Sequence, residues 1–169
     1  MESLDVVDRG TLLSFTFEDL MRYHGPGSPG GVAIAFRVLE RGLPLLHSGA
    51  PPARREIAIR TAFGGPGARD AFELVTRAVT ENRYVVDPQL ARPERGRALE
   101  RFVFELAHGE TTVTLLLRDG YVDDEFAWLA RMKGRSAEQE ARLDVLKREL
   151  AARVMASPAS DVVEVGTAS

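Results

Sequence analysis

Seven consecutive residues, Gly25-Pro26-Gly27-Ser28-Pro29-Gly30-Gly31, put four glycines and two prolines between two segments of helical period. Such a run cannot continue a helix, because proline removes backbone donors and glycine favours turn conformations. The chain must break there and start again, and His24 stands at the edge of the break. A histidine exchanges protons near neutral pH, and a broken helix exposes backbone groups that a continuous one hides. The hinge is therefore the first candidate site.

Before the hinge, Thr16 can cap a helix that places Phe17, Leu20, Met21 and His24 on one face, so the imidazole points inward. After it, Val32, Ile34, Ala35, Val38, Leu39 and Leu43 make a second, more apolar helix, ended by the Gly49 to Pro52 region. Arg55 to Phe63 alternates at strand spacing, and Gly64-Gly65-Pro66-Gly67 turns the chain into a third helix with Ala71, Phe72, Val75 and Val79 on one face. A short strand is expected at Arg83 to Val86 and a polar loop at Asp87 to Gly96. Phe102, Phe104 and Leu106 alternate up to His108-Gly109-Glu110, and Val113, Leu115 and Leu117 form the return strand of a hairpin. The last third is helical, a C-terminal helical extension: Asp123 to Glu125 open a helix carrying Phe126, Trp128, Leu129 and Met132. Ser136 and Gln139 then form a capping-box pattern before the narrow stripe Leu143, Leu146, Leu150 and Val154. That stripe needs a partner, either the parent domain or a second subunit.

A chain of 169 residues, 44% hydrophobic, supports one well-buried core. The expected organisation is a flexible tail over 1–10, a single α+β domain over 11–156 and a second flexible tail over 157–169. A net charge of -3 offers no general attraction to nucleic acid or an anionic membrane, and no local basic patch stands out. No segment approaches the roughly 20 apolar residues of a membrane span, so a soluble cytoplasmic protein is expected. Cysteine is absent, which excludes disulfides, thiolate nucleophiles and cysteine-bound metals. Lys133 and Lys147 are the only lysines, so arginine supplies 20 of the 22 basic side chains, a skew attributed to a high-GC bacterial genome.

Three constellations bear on chemistry. Gly25, Gly27 and Gly30 match the dinucleotide pattern G-x-G-x-x-G, but the residues before them are helical where that motif needs a strand, and Pro26 and Pro29 remove donors a phosphate cradle requires. The hinge has two remaining readings: a site built on His24, or a sharp helix-helix turn with His24 as a hydrogen-bonded core residue. The second constellation, Phe63 through Gly67 into Ala68-Arg69-Asp70, has the strand-turn-helix order that aims backbone N-H groups at an anion. It lacks the Lys-Ser/Thr of a nucleotide loop, so a carboxylate or enolate fits better; its plain alternative is a tight crossover with Asp70 favouring the helix start. The third, Asp119 to Glu125, fits no calcium-loop spacing and reads as helix capping.

The hinge His24-Gly25-Pro26-Gly27-Ser28-Pro29-Gly30 and the helix start Gly67-Ala68-Arg69-Asp70-Ala71 resemble the formylmethanofuran dehydrogenase E-subunit-like family. Its members carry a His-Gly-His-x-Cys-Pro-Gly hinge and a later Cys-x-x-Asp-Ala helix start. The resemblance follows the order of elements over roughly residues 15 to 135. His24, Gly25, Pro29, Gly30 and Asp70 keep the family residue, whereas Pro26, Ser28 and Gly67 replace a histidine and two cysteines that the family uses for metal binding. The resemblance implies an α+β fold with a mixed β-sheet backed by helices, a homodimer, and loss of the metal, since His24 and Asp70 supply at most two of the usual three or four ligands.

These readings combine into an expected cofactor-independent enzyme of lyase, isomerase or cyclase type, acting on a small organic acid or carbonyl-containing metabolite in a bacterial biosynthetic pathway. His24 is the acid or base, Asp70 orients it, and Ser28 assists. Gly30, Gly65, Gly67 and Arg69 bind the substrate oxyanion. The rival expectation is a non-catalytic ligand-binding or accessory subunit. A third is a metal held by ligands such as His47 or His108.

Overall fold

Glycine and proline divide the chain where its hydrophobic period changes. The computed structural model describes residues 2–167. In chain order it forms β1 (Leu4–Asp8), β2 (Thr11–Phe15), α1 (Phe17–His24), α2 (Pro29–Leu46), β3 (Ile57–Thr61), α3 (Pro66–Thr76), β4 (Tyr84–Val86), β5 (Val103–His108) and β6 (Thr111–Leu117). Then follow α4 (Asp124–Arg131), α5 (Ala137–Met155), the four-residue α6 (Ala159–Val162) and β7 (Val163–Gly166).

α2 is the centre of the molecule. It starts on Pro29, whose fixed φ suits a first helical position. Val32, Ile34, Phe36, Val38 and Leu39 are all fully buried although they point in different directions around the helix. A helix apolar on every side is stable only when surrounded, and α1, α3, α5 and the sheet enclose it. Gly42 marks its closest approach to the sheet: a Cβ there would lie 2.6 Å from Cδ1 of both Leu106 and Leu115.

The sheet has the order β4-β3-β5-β6-β7, and β1 pairs with β2 separately. β3 runs parallel to β4 through the α3 crossover and antiparallel to β5, which makes the sheet mixed. β5 and β6 form the expected hairpin, with Leu106 opposite Val113 and a left-handed Gly109 at the turn. The fold is thus α+β, a mixed sheet backed by helices. Ile59, Phe104, Leu106 and Leu115 face α2 and α3 in one cluster with Phe36 and Phe72. Burial of each such side chain contributes about 1.5–3 kcal/mol, so this layer dominates stability. The α5 stripe finds its partner within the chain: Leu150 and Val154 join the main core, while Leu143 and Leu146 pack on Leu129 of α4.

Both expected tails require correction. Leu4 and Val6, 1% and 0% exposed, anchor β1 in the core, and β1 pairs with β2 from Leu4 opposite Phe15 to Asp8 opposite Thr11. At the other end Val162 and Val163 are fully buried, and β7 pairs with β6. The core therefore extends past the expected limits of 11 and 156. Strands this short bear too few alternations to stand out in sequence. Residues 1, 168 and 169 of those tails lie outside the described residues. The expected loop at Asp87 to Gly96 also does more than connect: Leu90 and Ala91 pack with Ala62, Val103 and Leu116 on the sheet's other face.

Arginine has a structural use. Buried Arg37 of α2 donates to the carbonyls of Val154 and Met155 at the end of α5, 3.3 and 3.0 Å away, and pairs with Glu2 and Glu40 at 2.7 Å each. Arg54 donates to the carbonyls of Leu74 and Val75, at 2.5 and 3.0 Å, at the end of α3. Arg135 donates to those of Leu129 and Met132, at 3.0 and 2.8 Å, at the end of α4. A guanidinium offers several donors and a positive charge to the negative end of a helix, which a lysine matches less completely.

Candidate functional site

His24 closes α1, and Gly25 at φ +86° turns the chain away while its N–H donates to the Met21 carbonyl. The imidazole Nδ1 lies 2.8 Å from Asp70 Oδ2 on the first turns of α3. Its Nε2 accepts the Ser28 backbone N–H at 3.1 Å. An amide N–H only donates, so Nε2 is the unprotonated nitrogen and the proton sits on Nδ1, donated to Asp70. Arg69 reaches the other carboxylate oxygen at 3.2 and 3.3 Å. The His24 side chain is 7% exposed and that of Asp70 24%. The four residues thus form one connected chain that ties the hinge to α3, with both imidazole nitrogens engaged.

A cavity of about 480 Å³ meets this chain of hydrogen bonds at Ser28. Its wall is built from the starts of α2 and α3 through Ser28, Gly31, Gly65 and Gly67, and from Phe63, Phe102, Phe126 and Leu143. Arg101, Arg131, Arg135 and Lys147 also line it, and among the described residues no carboxylate does. Of the residues expected to form the site, Ser28, Gly65 and Gly67 are on this wall, whereas His24, Asp70 and Arg69 are not. Gly30 serves a helix contact instead: a Cβ there would lie 2.8 Å from Leu150 Cδ2 and 3.3 Å from the Lys147 carbonyl. A smaller hollow of about 160 Å³ at Asp5, Glu40 and Pro51 carries no such concentration of cations.

Helix capping singles out the same wall. Thr16 and Ser136 make capping boxes on α1 and α5, Asp123 caps α4, and each of these helices has two acidic residues in its first turn. α2 and α3 have no side-chain cap and no acid in the first turn. Each opens on a proline, which has no N–H, so the N–H groups of Gly30 and Gly31 in α2 and of Gly67 and Ala68 in α3 keep the partial positive charge of the helix start, about half an elementary charge for each helix. Glycines allow the two starts to lie side by side, since a Cβ on Gly31 would sit 3.1 Å from the Ala68 nitrogen and one on Gly67 would sit 3.0 Å from the Val32 nitrogen and collide with the Ser28 carbonyl.

The four cations differ in how far they are neutralised. Arg131 pairs with Glu100 at 3.2 Å and Arg135 with Glu140 at 2.9 Å. Among the described residues neither Arg101, which is exposed, nor Lys147 has a carboxylate partner; the Lys147 ammonium reaches only the Gly27 carbonyl, at 3.3 Å. Burial and, next, the positive charge of Arg101 hold the Arg131 guanidinium below its usual pKa. Like charges gathered in one hollow favour a bound anion.

His47 and His108 also come together, with ring centres 5.2 Å apart and Glu56 Oε2 3.3 Å from His108 Nε2. Among the described residues, no group of three or more His, Asp or Glu side chains is arranged to hold a metal ion. No described helix is long and apolar enough to cross a membrane.

Sequence reasoning missed the cationic lining because Arg101, Arg131, Arg135 and Lys147 come from three separate segments with no shared period. The readable signal was the lack of a cap or acid at the starts of α2 and α3. No protein-family model matches the chain, and no curated protein matches it.

Proposed function

We propose that the protein binds a small organic anion in the cavity between the starts of α2 and α3 and the inner face of α4. The observation that carries this reading is the meeting of two uncapped helix starts with four cationic side chains, and no carboxylate among the described residues, on one wall. Phe63, Phe102, Phe126 and Leu143 supply an apolar surface beside the charge, the usual make-up of a metabolite pocket. Among the described residues that wall carries no histidine and no carboxylate, the side chains most often used for general acid-base work, which favours binding over turnover. On this reading the chain is a divergent relative of the formylmethanofuran dehydrogenase E-subunit-like proteins, supported by the His24 hinge and Asp70, and serves as a ligand-binding or accessory protein.

Calorimetric titration tests it. Benzoate is expected to bind and neutral benzamide is not, and Lys147→Gln is expected to weaken benzoate about tenfold while leaving the urea midpoint unchanged. Equal binding of benzoate and benzamide would remove the proposal.

The His24–Asp70 contact favours a second reading, the acid-base enzyme acting on a small organic acid or carbonyl-containing metabolite. Asp70 would hold the proton on Nδ1 and leave Nε2 basic, and Ser28 would have to release Nε2 for a substrate. Turnover of an anionic carbonyl compound that disappears in His24→Gln but survives in Arg101→Gln would favour this reading over simple binding.

A further inference from the structure

Resting on the anion-binding reading, we infer that the ligand is a dianion on a flat apolar body, such as an aryl phosphate monoester or an aromatic dicarboxylate. The charge balance of the wall leads there. Glu100 and Glu140 neutralise Arg131 and Arg135, which leaves Arg101 and Lys147 as two whole charges without a carboxylate among the described residues. The starts of α2 and α3 add about half a charge each. A monocarboxylate can pair with only one of Arg101 and Lys147, whereas a dianion pairs with both and still faces the helix starts. Beside the charge the lining is aromatic: Phe63 and Phe102 are stacked with ring centres 4.5 Å apart and planes inclined by 26°. A flat ring extends such a stack better than a branched chain does. A hollow of about 480 Å³ has room for both parts.

Four organic ligands and inorganic phosphate separate the possibilities in titrations of the full chain at constant ionic strength, with Trp128 on α4 as a second, fluorescent readout. Phenyl phosphate and its methyl ester share ring and phosphorus but differ by one charge; phthalate and benzoate make the same comparison with carboxylates. At least about tenfold tighter binding of phenyl phosphate than of methyl phenyl phosphate is expected, and Arg101→Gln should reduce that preference to about threefold or less. Arg101 is exposed, so this substitution leaves the core intact. Preference for phthalate over benzoate without binding of phenyl phosphate would support the dianion and assign it a dicarboxylate head. Equal affinity within both pairs would overturn the dianion and leave anion binding standing. Inorganic phosphate binding as tightly as phenyl phosphate would overturn the apolar body. Failure of all four organic ligands to bind would overturn this inference and the anion-binding reading together.

Discussion

His24 and Asp70, 46 residues apart in sequence, share a 2.8 Å hydrogen bond that fixes the end of α1 against the start of α3. Because Ser28 donates to the other ring nitrogen, one imidazole spans the hinge and the crossover helix at once.

Removing that ring has a structural cost that removing its charge partner does not. His24→Ala leaves a part-buried Ser28 N–H and a carboxylate without their partner, and a loss of about 2 kcal/mol is expected. In a chain of this size that lowers the melting temperature by about 4–8 °C. Asp70→Asn keeps an acceptor for Nδ1–H and is expected to stay within about 1 kcal/mol of the native chain. Urea unfolding of the two variants checks the order; equal losses would show that the ring is not held as described.

Gly67 is where the two uncapped helix starts approach most closely. Gly67→Ala puts a methyl group onto the Ser28 carbonyl, and either the helices separate or the backbone strains. Overpacking of this kind costs about 1–3 kcal/mol. The variant is expected to lose benzoate affinity as well, because the paired N–H groups move apart. Retention of both native stability and affinity would show that the spacing of α2 and α3 is unimportant.

Acid sensitivity follows from carboxylates held below their ordinary pKa. The Thr16 backbone N–H and then its hydroxyl lower Asp19; the Gln89 N–H and then Arg60 lower Asp87; Arg55 lowers Asp8; Arg83 and then Arg55 lower Glu81; Arg142 lowers Glu125. A depressed pKa gives stability that is present above the unfolded values of 3.8 for Asp and 4.5 for Glu, and that disappears as pH falls through the folded values. The urea midpoint is therefore expected to be level from about pH 6 to 7 and to fall below about pH 4.5. Asp19→Asn should lower the plateau and flatten the fall; a variant with an unchanged slope would exclude the Thr16 cap as a contributor.

Ending the chain after Ser157 deletes α6 and β7 and with them Val162 and Val163, both fully buried. At about 1.5–3 kcal/mol for each side chain, a loss of about 3–6 kcal/mol is expected, a large part of a domain's stability. A truncated chain with the native urea midpoint would restore the reading of this segment as a loose tail.

What could be read from sequence was local. The caps at Thr16 and Ser136, the turn at Gly109 and the alternation of Phe104, Leu106 and Leu115 each act within a few residues, and the structure carries all of them. The pairing of His24 with Asp70 was approachable because both stand at helix ends beside glycine turns. The cationic wall was not, since Arg101, Arg131 and Lys147 are ordinary surface residues until the chain is folded. Arg37 was likewise hidden: in sequence it interrupts an apolar run, and only the arrival of α5 supplies the carbonyls that it binds.

That last contact also bears on biosynthesis. Arg37 and Val154 are separated by 117 residues, so a ribosome adding about 5–20 residues per second needs about 6–23 s between them. Throughout that interval the nascent chain displays an unshielded oily rod, and a chaperone or rapid translation of the second half would guard it until its last neighbour emerges.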